Sequence, residues 1–338
     1  MTNHLIHSDQ VWSLILAGGE GKRLQPWVQR LWGHTLPKQY CTFMGSRSMF
    51  QHTLDRADLL GHPERKVTVI APHHRQVACR QIGNRLGKVI VQPDNRDTAV
   101  GIFLALVYIR AWDPHATVVI YPSDHFVYPE SAFMDIVKRA TLAAQHLEDR
   151  LILLGALPDC AELDYGWIKP GPKLDLEGAY GLQTVVTFLE KPNLRVAQAA
   201  QATGWLWNTL VLIGKVGTLW KLGWHCLPEL LARFHQLEEA IDTSYEKAVL
   251  KLAYRAMPAK NFSRDLLSRV PHQLALMKLD NLWWSDWGNP DRIIETIRKL
   301  GERSAFSLEP LMTGTSTNDG RFACGDKSSG TVYPSLRR

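Results

Sequence analysis

The stretch Leu14-Ile15-Leu16-Ala17-Gly18-Gly19-Glu20-Gly21-Lys22-Arg23-Leu24-Gln25-Pro26 decides the reading of this chain. The apolar run from Val11 to Ala17 reads as a buried strand, and it empties into three glycines within four residues. Glycine lets the backbone turn through positive φ and lets a ligand lie against bare amides. Successive N–H groups in such a turn form a concave anion site, and Lys22 and Arg23 add full charges beside it. This is equipment for a polyphosphate, although the same residues taken alone also suit a plain tight turn.

Spacing excludes two commoner phosphate loops. A P-loop needs Gly, four residues, then Gly-Lys-Ser/Thr; here Arg23 follows Gly21-Lys22, and Leu16 stands where the leading glycine belongs. A dinucleotide fingerprint needs a third glycine where Leu24 stands.

Outward from this turn, apolar runs at Val67–Ala71, Lys88–Gln92, Thr117–Tyr121 and Leu151–Ala156 read as strands. Helical periodicity fills the intervals Ser48–Leu60, His73–Leu86, Arg96–Trp112 and Ser131–Leu147, with Val100, Phe103, Leu104, Val107 and Ala111 on one helical face. Such alternation predicts a mainly parallel sheet with helices on both sides, and ligands off the carboxyl ends of its strands. Past Tyr165 the spacing loosens: strands are expected at Leu182–Glu190 and Leu210–Gly214, helices at Asn193–Ala202, Pro228–Ala240 and Ser244–Ala256. A closing helix has Asn289 as N-cap, Pro290 at its first position, Ile293, Ile294, Ile297 and Leu300 inward, and Gly301 after its end. Residues 302–338, rich in Gly, Ser and Thr, are expected to be mobile or loosely packed, and no internal repeat is visible.

At 338 residues the chain can bury a substantial core, and 45% hydrophobic with 21% charged residues is ordinary globular composition. The net charge of +6 suits a phosphorylated substrate, although a mildly basic soluble protein accounts for it equally well. Basic clusters that track nucleic acid are missing. The five cysteines are scattered and include no Cys-x-x-Cys pair, which argues against a disulfide framework or zinc site and fits a reducing compartment. The polar start has no signal-peptide core, and the longest apolar runs, such as Val100 to Ile109, are about half a membrane span. A cytoplasmic location is expected, with neither nucleic acid nor membrane as partner; assembly into homo-oligomers is left open.

Gly18-Gly19-x-Gly-x-Arg-Leu-x-Pro followed by Pro37-Lys38-Gln39-Tyr40 resembles the signature of the sugar-phosphate nucleotidyltransferases, and the Pro-Lys-Gln form is most similar to their mannose-1-phosphate guanylyltransferase branch. Later segments match in order over about residues 10 to 300. The resemblance implies an α/β fold: a Rossmann-like mixed, mainly parallel sheet flanked by helices in one large domain, of the glycosyltransferase-A-like kind. Residues 1–301 would form the catalytic domain, with the nucleotide handled by about 10–160 and the sugar by about 161–301. It also implies the activity, transfer of a nucleotidyl group from an NTP (GTP by resemblance) to a sugar 1-phosphate such as mannose 1-phosphate, with Mg²⁺ as cofactor.

Such a transfer brings together three negatively charged groups, so catalysis rests on positioning and charge neutralisation. Tyr121-Pro122-Ser123-Asp124-His125 follows an apolar strand, so Asp124 emerges at a carboxyl end, where a carboxylate suits Mg²⁺. The family's Pro-Ser-Asp-His motif implies that Asp124 is a metal ligand. Trp283-Trp284-Ser285-Asp286-Trp287-Gly288 resembles the late Trp-Ser-Asp-x-Gly motif, which makes Asp286 the partner ligand. By the same resemblance Lys38 contacts the phosphates and Arg23 supports pyrophosphate departure. In Phe188-Leu189-Glu190-Lys191-Pro192, Glu190 matches the residue that bonds sugar hydroxyls and Lys191 the one on the sugar phosphate. Gly166, in Asp164-Tyr165-Gly166-Trp167-Ile168, and Asn208, in Trp205-Leu206-Trp207-Asn208-Thr209, match the remaining sugar contacts. The nucleotide is then expected against Leu16, Ala17, Gly18, Gly19, Gly21, Arg23, Lys38, Gln92, Arg96 and Thr98. Read singly, these residue types also serve as caps, turns and solvated surface.

Several positions depart from the family pattern. Leu210 replaces a glycine after the Asn208 motif. In Val91-Gln92-Pro93-Asp94-Asn95-Arg96-Asp97-Thr98-Ala99, Gln92 stands for a glutamate and Asp97 for an asparagine. A carboxylate accepts both guanine donors, whereas an amide suits a uracil- or thymine-like edge equally well. This keeps a UTP- or dTTP-dependent enzyme, another hexose or cyclitol phosphate, and a silent nucleotide-sugar sensor as alternatives. A glycosyltransferase is disfavoured, because no Asp-x-Asp follows a strand. The segment Trp27 to Leu36 reads as a flexible lid or a surface insertion. The histidines, His73-His74 included, show no metal spacing and are assigned to structure or solvent.

Overall fold

Strand β1 (Val11–Ala17) is apolar on both faces: Trp12 and Leu14 enter one core, Val11, Ile15 and Ala17 another. Side chains alternate across a strand, so a continuous apolar run marks a sheet covered on both sides. The same division holds in β4 (Thr117–Pro122), with Val118 and Ile120 on one side and Val119 and Tyr121 on the other. The computed structural model describes residues 10–175 and 180–301. The tail expected over 302–338 lies outside the described residues.

The remaining strands are β2 (Lys66–Ile70), β3 (Lys88–Val91), β5 (Phe126–Tyr128), β6 (Leu151–Ala156), β7 (Gly166–Lys173), β8 (Gln183–Glu190), β9 (Leu206–Lys215), β10 (Leu274–Lys278) and β11 (Trp283–Ser285). Nine of the eleven described strands form one sheet in the order β3-β2-β1-β4-β9-β6-β10-β8-β7, and β5 pairs with β11 in a separate ribbon. The sheet is mixed, but the expectation of mainly parallel pairing holds only for its first half. β3, β2, β1 and β4 run parallel, and beyond β4 the pairings are antiparallel except β6 with β10. Antiparallel neighbours need no helical crossover between them, which is why the sequence spacing loosens there.

The helices are α1 (Gln25–Trp32), α2 (Met49–Asp58), α3 (Arg75–Ile82), α4 (Asp97–Trp112), α5 (Glu130–His146), α6 (Leu194–Ala202), α7 (Val216–Cys226), α8 (Pro228–Glu238), α9 (Glu246–Arg255), α10 (Phe262–Asp265) and α11 (Pro290–Leu300). One face of the sheet is covered by α4, α7, α8 and α9, the other by α2, α5 and α6. α4 differs from its expected one-sided face: Ala99 to Ile109 are all buried, while Ala111 is exposed. A helix apolar all round is one packed on all sides. Among the described residues no helix is long and apolar enough to cross a membrane.

The segment expected as a lid is instead α1. Pro26 opens it, Gly33 closes it in the left-handed conformation at φ +73°, and Trp27 and Val28 are buried. They share a third core with Phe43, Trp287, Ile293 and Ile297, the last two from α11. Each such buried isoleucine contributes about 1.5–3 kcal/mol. This core straps the end of the described chain beside the glycine turn.

Candidate active site

Leu16 pairs with Pro122 in the parallel register of β1 and β4, so the glycine turn and Ser123-Asp124-His125 leave the sheet side by side at its carboxyl edge. The Ser123 N–H and hydroxyl both donate to the Leu16 carbonyl, at 3.1 and 2.7 Å. The Gln39 amide donates to the carbonyls of Ala17 (3.1 Å) and Gly19 (2.7 Å), and the Tyr40 hydroxyl to that of Ala17 (2.9 Å). These bonds fix the turn through its carbonyl side. Gly21 is required sterically, whereas Gly18 packs against the tip of the Gln92 side chain. A Cβ on Gly21 (φ +60°) would lie 2.9 Å from the Lys38 main-chain nitrogen, and one on Gly18 would lie 2.6 Å from Gln92 Nε2. Gln92 is thus buried directly against the turn.

Asp286 arrives from the far end of the chain through the β5–β11 ribbon. Ser285 stands opposite Phe126 in antiparallel register, so Asp286 flanks His125 and Asp124. The side chain of Lys38, almost fully buried, joins the two acids: Nζ lies 2.8 Å from Asp124 Oδ2 and donates to the Asp286 main-chain carbonyl. Arg23 pairs with Asp164 at 2.8 Å and stands 3.7 Å from Asp286 Oδ2. Asp286 Oδ1 accepts from the Gly288 N–H at 2.8 Å and from the Tyr165 hydroxyl, and Tyr165 in turn accepts from Arg292 at 2.7 Å. Arg292 also pairs with Glu162. A charged tether from α11 therefore orients the second aspartate.

Electrostatics keep both acids ionised. Burial pushes the Asp124 carboxyl up, but the Lys38 ammonium and His125 outweigh it and hold the pKa below the usual range. Burial likewise raises Asp286, and Lys38, the Tyr165 hydroxyl and Arg292 bring it down. His125 stays neutral, its pKa lowered to about 4 by burial. Two carboxylates held ionised on either side of Lys38 offer hard oxygen donors, which fits Mg²⁺.

A second group forms around Gly166, which pairs with Glu190 across β7 and β8. A Cβ on Gly166 would lie 2.9 Å from Glu190 Oε2 and 3.2 Å from Asn208 Cβ, so glycine leaves room for both side chains beside β7. Burial raises the Glu190 pKa, partly offset by Lys191 and Arg264. Lys191 is exposed, with φ +49° and its N–H on the Tyr165 carbonyl at 3.1 Å. Arg96 and Thr98 are tied elsewhere: Arg96 pairs with Asp94 at 3.0 Å, and the Thr98 hydroxyl accepts the Phe262 N–H at 2.9 Å.

Sequence reasoning misses the structural roles of Gln39, Tyr40, Tyr165 and Arg292; the first two stand beside Lys38 in a motif that singles out only the lysine. His73 and His74, assigned from the sequence to structure or solvent, lie beside Glu20. Their ring nitrogens and a Glu20 carboxylate oxygen lie within 4.8 Å of one another, which residue spacing could not reveal.

A glycine turn and Asp124 at the carboxyl ends of parallel strands, with Asp286 brought alongside by the β5–β11 ribbon, define an α/β protein with a charged site at that edge of its sheet. The chain belongs to the nucleotidyl transferase family, whose model matches residues 12–303. It is 27% identical over 287 residues to a mannose-1-phosphate guanylyltransferase of Escherichia coli K12, covering 83% of this chain and 58% of that protein. It is 30% identical over 290 residues to mannose-1-phosphate guanylyltransferase 2 of Escherichia coli O157:H7, covering 82% and 58%. The chain thus spans less than two thirds of the length of these curated relatives. The fold is similar to a crystal structure from Thermus thermophilus described as mannose-1-phosphate geranyltransferase, with a TM-score of 0.70, 24% identity, and 84% of this chain and 79% of that one covered.

Proposed function

We propose that this protein transfers a nucleotidyl group from GTP to mannose 1-phosphate, forming GDP-mannose and releasing pyrophosphate. The observation that carries the reading is one buried ammonium, Lys38, on both the Asp124 carboxylate and the Asp286 main-chain carbonyl beside the glycine turn. The guanylyltransferase relatives supply the substrate pair.

In this reading the amides of Gly18 to Gly21 and the side chains of Arg23 and Lys38 bind the triphosphate. Lys191 holds the incoming sugar phosphate, while Glu190 and Asn208 orient the sugar. A sugar-phosphate oxygen attacks the α-phosphorus in line, the bond from that phosphorus to the pyrophosphate oxygen breaks, and Arg23 steadies the departing charge. Asp124 and Asp286 would hold Mg²⁺, which neutralises phosphate charge when bound. The scattered cysteines support a cytoplasmic setting as part of the same reading.

Gln92 supports a second reading, a UTP- or dTTP-dependent enzyme, because a buried amide rather than a carboxylate stands where guanine would be read. Pyrophosphate release measured for four NTPs against a panel of sugar 1-phosphates decides between them. GTP with mannose 1-phosphate should be fastest; preference for UTP or dTTP establishes the second reading, and silence on every pair overturns both. A thermal shift with GDP-mannose and no turnover would point to a sensor.

A further inference from the structure

The glycine turn carries a second cluster of donor groups, separate from the Lys38 contacts. Glu20 stands between Gly19 and Gly21, and its carboxylate lies 3.1 Å from His73 Nε2. His74 follows, its ring 4.2 Å from that of His73. The potential donor atoms of Glu20, His73 and His74 lie within 4.8 Å of one another.

His74 is the informative member. It is 2% exposed, and neither ring nitrogen makes a hydrogen bond of good geometry, although the Ala17 carbonyl lies near the ring. A polar side chain left buried and poorly paired loses its hydration without compensation, so such a group calls for a partner. Burial and the neighbouring His73 lower its pKa, against weaker opposing contributions from Glu20 and the Ala17 carbonyl, so the ring is neutral and keeps a free electron pair. Two imidazoles and one carboxylate are the donor set of open zinc sites, whereas Mg²⁺ prefers oxygen. Bond lengths of about 2.0–2.2 Å require the three donors to draw together. The exposed His73 ring and the partly exposed Glu20 have the freedom to do so.

We propose that Glu20, His73 and His74 bind one zinc-class divalent ion, which latches the glycine turn to the segment after β2. The inference does not depend on the nucleotidyl-transfer reading, since it concerns different residues and a different donor chemistry.

The test titrates tag-free full-length protein with Zn²⁺ against a chromophoric chelator, with Mg²⁺ in excess, and records the visible bands of the Co²⁺ form. Wild-type protein should bind one equivalent, and Asp124→Asn should retain it. His73→Ala and Glu20→Gln change side chains at or near the surface and should fold; each should weaken binding by more than about tenfold and alter the Co²⁺ bands. Absence of stoichiometric Zn²⁺ binding overturns the proposal. So does binding that survives His73→Ala unchanged, or binding lost in Asp124→Asn instead. Because no outcome is read from turnover, failure of this site leaves the transferase reading untouched.

Discussion

The Lys38 ammonium lies 2.8 Å from the Asp124 carboxylate, with the lysine side chain only 7% exposed. It is the cation that keeps the acidic pair ionised in a buried place. Lys38→Met should lower turnover by about 10²–10³, the usual cost of removing one charge-stabilising group. It should also leave the Asp124 carboxylate without its ammonium partner, so that Mg²⁺ raises the melting temperature of the variant more than that of wild type. Steady-state kinetics and melts with and without Mg²⁺ check both. Equal Mg²⁺ shifts would show that the ammonium does not share the metal's position.

Leu210 sits at φ +54°, where the family pattern has glycine, and its N–H is held by the Asn208 side-chain oxygen at 3.1 Å. A leucine there costs about 1–2 kcal/mol, offset by its packing against the core under α4. Leu210→Ala removes the packing and keeps the strain, whereas Leu210→Gly removes both. After the extra chain entropy of glycine, the Gly variant should be the more stable of the two by about 0.5–1 kcal/mol. Urea midpoints decide it; the opposite order means the backbone is unstrained.

Glu130 lies 3.3 Å from the buried Arg56 and 3.1 Å from His52. Burial raises its pKa, but His52 and Arg56 pull it below the ordinary 4.5. A lowered carboxyl pKa gives stability that is complete above about pH 4.5 and lost as pH falls through the folded value. Glu130→Gln should therefore destabilise most at neutral pH, by about 2–3 kcal/mol, because it leaves Arg56 uncompensated; the figure is reduced for the partial exposure of Glu130. The deficit should shrink on acidification. A deficit that is constant with pH would exclude an ionic role.

How much of this is legible in the sequence follows from the length and context of each element. β1 and its turn are readable because a strand buried on both faces leaves an unbroken apolar run. α11 is readable because it carries its own stops: Asn289 accepts the Arg292 N–H, and Gly301 takes the left-handed conformation. β7 leaves no strand pattern in the sequence because Gly166, Pro170, Gly171 and Pro172 interrupt it. α1 has legible signals in Pro26 and Gly33, overridden by the apparent length of the insertion. The meeting of Asp124 with Asp286 depends on β5 and β11, each three residues long, too short to leave any periodicity. The Tyr165–Arg292 tether and the Glu20–His73–His74 cluster join residues far apart in the chain, and only folding brings them together.

The central claim is that Asp124 and Asp286 act as one unit, and pyrophosphate release by the two single variants and the double variant tests it most directly. With GTP, mannose 1-phosphate and Mg²⁺, Asp124→Asn and Asp286→Asn should each lose about 10²–10³ in rate, and the double variant should fall little below the worse single, since members of one unit are not additive. Wild-type rates in either single variant, or losses that multiply in the double, would contradict it.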